Sequence, residues 1–205
     1  MAVLEYNEVV HAYQTIIGAV AGILAFVSFI PYINSIIKGK TKPNRATFTI
    51  WSGVNIVTIS SYIVSGARTT IFVGLVYTVL QIVVLILSLK RGMGGFNPFD
   101  IACLIGATIG ITLWIITKNP HTALYLGIFS EVLGLIPTLK KSYLHPDTEN
   151  TLSWSIAVVG SALNLFALTS WRPEISVYPI YFFIGDLLVA LLLWRPAIIR
   201  YLGTR

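Results

Sequence analysis

Two acidic residues lie in the middle of long apolar stretches of the chain. Glu131 and Asp186 are each near the centre of such a stretch, and no Lys or Arg lies mid-stretch to pair with either. A charged side chain at the centre of a bilayer costs about 3 kcal/mol or more, so such residues face a bundle interior or a watery cavity. We expect the two carboxyl groups to couple transport to protons or to bind a cationic group. The alternative is a pair of neutral acids hydrogen-bonded to neighbouring helices for packing.

Three amide side chains, Asn55, Asn164 and Gln81, also lie near mid-stretch. An amide offers donors and an acceptor, which suits a polar, uncharged or zwitterionic solute. Each amide taken alone is explained equally well by hydrogen bonding between helices. Together with nearby hydroxyl groups the amides predict a polar vestibule. These hydroxyl groups belong to Tyr62, Tyr77, Thr58, Ser60 and Ser61.

Seven apolar stretches carry these residues and fill most of the chain. They are Thr15–Ile37, Ala46–Ser65, Thr70–Leu89, Pro98–Thr117, Thr122–Leu139, Leu152–Trp171 and Ser176–Trp194. About 20 residues of helix cross a hydrocarbon core of about 30 Å. With 56% hydrophobic residues and a mean hydropathy of +0.81, too little polar surface remains for a soluble fold. The sequence therefore predicts an all-α membrane protein with seven transmembrane helices.

The basic residues lie almost entirely on one side of these spans. The 38–45, 90–97 and 140–151 loops and the tail 195–205 hold eleven of the fourteen Lys and Arg residues. The other side has only Arg68, Lys118 and Arg172. The positive-inside rule then places the N-terminal segment 1–14 outside and the tail in the cytoplasm. Topology and anionic lipid headgroups account for the net charge of +6, so no nucleic acid partner is expected.

The chain contains a weak internal repeat. A gapless shift of 106 residues places Ile30-Pro31 on Ile136-Pro137, and the segment 44–50 on 150–156. Spans one to three then match spans five to seven, which leaves span four as a linker. Three spans are an odd number, so the extra span gives both copies the same orientation. The predicted domains are a first triple-helix bundle at 15–89, a linker helix at 98–117 and a second bundle at 122–194.

This arrangement resembles the superfamily of SWEET and PQ-loop proteins. Pro31-Tyr32 and Pro137-Thr138 occupy the place of the family's Pro-Gln pair, and hydroxyl residues open the following helix in both copies. The resemblance implies a secondary transporter that moves a small polar solute by rocking two bundles about a midplane site. The same superfamily includes the KDEL receptor, so it also allows a receptor or sorting adaptor. In that case the basic loop from Lys38 to Arg45 would bind a partner.

Prolines, tryptophans and glycines add weaker expectations. Pro31 and Pro137 each remove a backbone hydrogen bond late in a spanning helix, which predicts paired hinges or static kinks. Trp51 and Trp154 are interpreted as interfacial belt residues, with a stacking surface near the cytoplasmic gate as the alternative. A small-residue pair at Gly106 and Gly110 allows span four to pack against the first bundle.

Several chemistries find no support in the sequence. The three histidines show no metal-ligand spacing, and there is no HExxH, GxSxG or phosphate-binding glycine loop. The last span has no lysine for a retinal Schiff base, and Cys103 is the only cysteine. We therefore expect no enzyme, no metal and no cofactor. The expected partners are a small polar solute and the lipid bilayer, with a homo-oligomer left open.

Overall fold

The computed structural model describes residues 2–95, 97–117 and 119–203, and it places seven α-helices and no strand within these ranges. The helices are α1 (Ala2–Ile37), α2 (Arg45–Val64), α3 (Ile71–Arg91), α4 (Pro98–Thr117), α5 (Pro120–Leu144), α6 (Thr151–Phe166) and α7 (Pro173–Gly203). A short 3-10 turn, Pro146–Thr148, precedes α6. Six of the helices found in the described part of the chain are long and apolar enough to cross a membrane. The chain is a multi-pass membrane protein.

The exception is α6, for which the sequence predicted a span from Leu152 to Trp171. The helix ends at Phe166 after 16 residues, which gives a length of about 24 Å and falls short of the hydrocarbon core. The chain stays apolar beyond this end because Ala167 and Leu168 are buried. The apolar character of these two residues therefore reflects their burial in a bent connection. It does not indicate that the helix continues.

The two ends of the chain are also more helical than predicted. A separate segment 1–14 was expected, but α1 runs without a break from Ala2 to Ile37. The predicted cytoplasmic tail 195–205 is helical as far as Gly203, because α7 continues into it. Met1, Lys118 and Arg205, which belong to the predicted segments, lie outside the described residues.

The repeated sequence opens two helices in the same way. Asn44 caps α2, and its side-chain oxygen accepts a hydrogen bond from the backbone N–H of Thr47 at 3.2 Å. Asn150 caps α6 and accepts from the backbone N–H of Ser153 at 2.9 Å. Each cap satisfies a donor that the first helical turn leaves free, a contribution of about 1 kcal/mol. The second helix of each copy of the repeat therefore begins with the same kind of cap.

Helix contacts follow a cyclic order in the described part of the chain. Helix α3 lies between α1 and α2, and α7 lies between α5 and α6. The circle closes because α1 packs against α6 and α2 packs against α5. Exchanging α1, α2 and α3 for α5, α6 and α7 leaves these contacts unchanged. Helix α4 stands outside the circle, where it contacts α5 and α2.

Apolar side chains divide between the lipid-facing surface, two large internal clusters and a small third cluster between α2 and α4. Along α1 the exposed isoleucines recur every seven residues, at Ile16, Ile23, Ile30 and Ile37, which marks a face turned to lipid. Inside, a first core cluster is built around Tyr62, Val73, Leu124 and Tyr178. A second core cluster is built around Tyr32, Ile36, Val84 and Val189. The space between these clusters contains the candidate site.

Glycines set the closest helix approaches. A Cβ atom at Gly18 would meet the backbone carbonyl of Thr69, so α1 reaches the start of α3 only because this side chain is absent. In α4 a Cβ at Gly106 or Gly110 would meet Leu133 or Ser130 of α5. The glycine pair of α4 therefore packs on α5, not on the first three helices as the sequence suggested.

The contact at Gly18 yields a stability prediction. The Gly18→Ala variant will have a lower thermal unfolding midpoint than the parent in detergent, because the new methyl overlaps a backbone atom that cannot move alone. Overpacking of this kind costs about 1–3 kcal/mol. Gly53→Ala is the matched control, since nothing lies within 4 Å of its added Cβ. It is expected to leave the midpoint unchanged or raised, because Ala favours helix over Gly. Equal midpoints for both variants would contradict the close approach.

Candidate functional site

A cavity lies between the two core clusters and is lined by every helix except α4. The cavity contains about 560 Å³ of space free of protein atoms, and part of this space is open to solvent. The centre of a water-sized molecule can occupy about 50 Å³ of it. That volume suits a few waters or one small solute. The lining residues are Ser28, Phe29, Tyr32, Phe48, Trp51, Tyr77, Gln81, Leu135, Ser153, Trp154, Ala157, Tyr181, Phe182, Gly185 and Asp186.

Aromatic rings form most of the cavity wall. Seven of them make a closed circuit, which we term the aromatic belt: Trp51, Phe48, Tyr32, Phe29, Tyr77, Phe182 and Tyr181. Neighbouring ring centroids are 4.8–6.5 Å apart, from Tyr77–Phe182 to Phe29–Tyr32. The hydroxyl of Tyr181 lies beside the Trp51 indole and closes the circuit. Interlocked rings of this kind hold one another in place around the enclosed space.

Asp186 is the acidic group of the cavity. The Tyr77 hydroxyl donates a hydrogen bond to Asp186 Oδ2 at 3.0 Å, and the Ser161 side chain lies beside the same carboxyl. Among the described residues that line the cavity there is no Lys, Arg or His. The carboxyl group of Asp186 is therefore held by hydroxyl donors and by no protein cation, as the sequence predicted for a mid-span acid.

An amide pair, Asn55 and Gln81, lies at the cavity wall. The Asn55 Nδ2 donates to Gln81 Oε1 at 2.5 Å and to the Trp51 carbonyl at 2.9 Å. The Tyr178 hydroxyl donates to Asn55 Oδ1 at 2.8 Å. Because Asn55 occupies the oxygen of Gln81, the amide nitrogen of Gln81 is the part left to meet a ligand in the cavity. Asn55 itself is fully buried and acts behind the cavity wall.

Glu131 lies behind the cavity wall and does not line it. The hydroxyls of Thr58 and Tyr178 lie beside its carboxyl, while Oε1 has no hydrogen-bond partner. An ionised carboxylate here would leave one buried oxygen without a donor, which is costly. Tyr178 connects Glu131 to Asn55 and so to Gln81. The structure thus joins Glu131 to the cavity through a chain of side chains, and not by direct exposure as predicted.

The predicted polar vestibule is divided: Tyr77 and Gln81 line the cavity, whereas Tyr62 and Asn164 belong to a closure at one end of the helices. Asn164 donates to the Thr70 carbonyl at 3.3 Å, and Tyr62 donates to the Ile175 carbonyl at 2.7 Å. The Thr69 hydroxyl donates to the Ala167 carbonyl at 2.5 Å. These bonds tie α2 and the connection after it to α6, to the bent segment after α6 and to the start of α7. Ser60 is exposed and bonds within its own helix, so it adds nothing to the cavity.

A buried acid that the sequence did not single out closes the opposite end. Glu149 forms an ion pair with Lys141 at 2.5 Å. Its carboxylate also accepts from the indole N–H of Trp154 at 3.1 Å and from the Tyr32 hydroxyl at 3.4 Å. Lys141 donates in addition to the Lys42 carbonyl. Glu149 lies in a polar connection directly before the helix cap, and nothing in that pattern distinguishes a buried acid from a solvated one.

The tryptophans and prolines of the repeat lie near this end. Trp51 and Trp154 are buried, at 6% and 8% exposure, so they are not interfacial belt residues. Pro31 and Pro137 lie inside α1 and α5, both of which continue as helices past them. The Pro31 carbonyl accepts from the Asn150 side chain at 3.4 Å, so its turn contacts the start of α6. In the other half the Thr138 hydroxyl, next to Pro137, donates to the Thr47 hydroxyl at 2.9 Å, so the turn at Pro137 contacts the start of α2.

No protein-family model matches this chain, and no curated protein or solved structure is significantly similar to it.

Proposed function

We propose that the protein is a secondary transporter that moves a small polar solute across its membrane by alternating access. The observation that carries this proposal is a cavity walled by all six helices of the repeat, with contacts between its two halves at each end of the helices. A solute in such a site lies between two sets of closing contacts. It exchanges with either side only if one set of closing contacts opens while the other holds.

The helix contacts support two parallel three-helix bundles, at 15–89 and 122–194, joined by α4. Each bundle has its third helix in the middle, and the two meet through α1 with α6 and through α2 with α5. This exchange symmetry is what an axis along the membrane normal between two like-oriented repeats produces. Rocking one bundle against the other would then open one end of the cavity as it closes the other.

The contacts at the two ends of the cavity are the ones that such a motion would break. At one end it separates Tyr62, Thr69 and Asn164 from their carbonyl partners. At the other it releases the Lys141–Glu149 pair from Lys42 and Tyr32. Pro31 and Pro137 lie one or two turns before this second end. Each lacks the backbone N–H that would stiffen its helix, which suits them to act as hinges.

Proton coupling is assigned to Asp186 and Glu131. Asp186 is inside the cavity, where a solute and a proton compete for the same carboxyl group. Glu131 reaches the cavity through Tyr178, Asn55 and Gln81, so its protonation decides whether Tyr178 donates toward Glu131 or toward Asn55. In this proposal Asp186 binds the solute or the proton. Protonation of Glu131 changes the hydrogen bonds of Tyr178 and Asn55, and so affects the Gln81 amide that faces the solute.

A receptor or sorting adaptor is less well supported. Its basic loop would have to be free, but Arg45 donates to the carbonyls of Ser88 and Gly94, and the Lys42 carbonyl is held by Lys141. Thr41 is buried within the loop. The backbone of this loop is therefore packed against the protein, although the side chains of Lys38, Lys40 and Lys42 are exposed.

Transport is tested by uptake into liposomes. Purified protein in liposomes will take up at least one compound of a labelled set of sugars, amino acids, amines and vitamins, with saturable kinetics. Empty liposomes and heat-denatured protein are the controls. If no compound exchanges above these controls at pH 5 or pH 7.5, the transporter proposal fails and the adaptor becomes the better interpretation.

The two acids are tested on the solute identified in this way. Asp186→Asn and Glu131→Gln will each abolish accumulation driven by a proton gradient, because an amide cannot gain and lose the proton. Exchange without net accumulation can survive. Asp147→Asn is the matched control, since Asp147 is exposed in the turn before α6 and should accumulate solute like the parent. Accumulation by both acid variants at the parent level would reassign the acids to packing.

Orientation is tested by cysteine labelling in a Cys103→Ala background. The proposal places the N-terminus outside and the C-terminus in the cytoplasm, because eleven of fourteen basic residues then lie inside. Lys40→Cys should react with an impermeant maleimide only from the cytoplasmic side, and His121→Cys only from outside. Both native side chains are exposed. Reaction of both cysteines from the same side would refute the proposed topology.

A further inference from the structure

We propose that the solute bound in this cavity is a small organic cation, whose ammonium group lies inside the aromatic belt with Asp186 as its counter-charge. This inference rests on the proposed function, since it names the class of solute that the transporter takes. Three properties of the lining carry it: the sign of its charge, its ring content and the small number of its hydrogen-bonding groups that are free.

The charge of the lining selects against anions. Asp186 is the acidic member, and no basic residue is found among the described residues around the cavity. The nearest buried ammonium group at the closed end, that of Lys141, is already paired with Glu149. An anion entering the cavity would meet a carboxyl group and electron-rich ring faces without any compensating charge. A cation would instead be attracted by the carboxyl group and the rings. The cost of removing its water would be offset by Asp186.

The rings of the belt offer a second source of attraction. The faces of Trp, Tyr and Phe rings attract cations, by about 0.5–1 kcal/mol at exposed sites and by about 2 kcal/mol when desolvated. Eight of the fifteen lining residues are aromatic, and seven of these make up the belt. Such a wall surrounds an alkylated ammonium group on several sides. It is the arrangement by which aromatic cages bind quaternary ammonium ligands.

The hydrogen-bonding groups of the lining are already largely used, which disfavours a polyhydroxylated solute. The Ser28 hydroxyl donates to the Ala25 carbonyl at 2.6 Å, and the Ser153 hydroxyl donates to Asn150 Oδ1 at 2.9 Å. The hydroxyls of Tyr32 and Tyr77 donate to Glu149 and Asp186. A sugar needs many partners, and a buried hydroxyl without one costs about 1–3 kcal/mol. An alkylammonium group needs none beyond the carboxylate and the rings.

The experiment compares choline with its neutral isostere, 3,3-dimethylbutan-1-ol, on the purified full-length protein in detergent. The two compounds have the same shape and differ in the positive charge. We expect choline to bind at least tenfold more tightly in a calorimetric titration. Asp186→Asn should remove most of that difference, and Phe182→Leu should weaken choline binding while leaving the isostere unaffected. Phe166→Leu is the matched control, since Phe166 is 72% exposed and far from the belt.

Each outcome decides the inference. Equal binding of choline and its isostere to the parent protein, or binding of glucose or glycerol but not choline, overturns it. Should Asp186→Asn fail to fold, the parent comparison and the Phe182→Leu variant still decide. Choline binding without uptake into liposomes would retain the cation site and reject the transporter. Uptake of a neutral solute with no binding of choline would retain the transporter and reject the cation site.

Discussion

The low dielectric of the bilayer is the constraint on which the rest of this structure depends. A polar group inside the hydrocarbon region must find a partner in the protein, because water is absent there and an unpaired group costs several kcal/mol. The chain meets this constraint by using its few internal polar residues in pairs. Asn55 is bonded to Gln81 and to Tyr178, and Asp186 is bonded to Tyr77. Among the described residues a few buried side-chain atoms have no partner, among them Glu131 Oε1 behind the cavity wall and Asn164 Oδ1 at the closure.

The same constraint makes the two closures unequal. One end is held by hydrogen bonds from neutral hydroxyl and amide groups to carbonyls. The other is held by an ion pair buried with Trp154 and Tyr32 around it. Removing one partner of such a pair leaves a buried charge and costs about 3–5 kcal/mol. When this end opens, Lys141 and Glu149 therefore have to be hydrated together. The opening is all-or-none, because a partial motion would not hydrate both groups.

Much of the fold was accessible from the sequence because it follows from composition and local geometry. Stretches of about 20 apolar residues predict spanning helices, and the Asn caps at 44 and 150 are readable as helix starts. The end of α6 was not predictable, because Ala167 and Leu168 lie beyond the helix and are apolar since they are buried. Glu149 was missed for the opposite reason, since a polar connection normally faces water. Within the site, the location of Tyr77, Gln81 and Asp186 inside the bundle was predictable from their positions near the middle of apolar stretches. The position of Glu131 behind the cavity wall depends on packing between helices, which no single stretch encodes.

The repeat is symmetric in its backbone but not in its chemistry. Under the shift of 106 residues Phe48 corresponds to Trp154, and both line the cavity, yet Trp51 corresponds to Ala157, so one half supplies a ring where the other leaves room. In α3 and α7 a shift of 105 residues pairs Gln81 with Asp186, an amide in one half and an acid in the other. A cavity made by two equivalent halves would bind a solute equally in two orientations. Because the acidic group of the lining comes from α7 alone, the proposed cationic solute would have one favoured orientation, the same whichever end of the cavity opened.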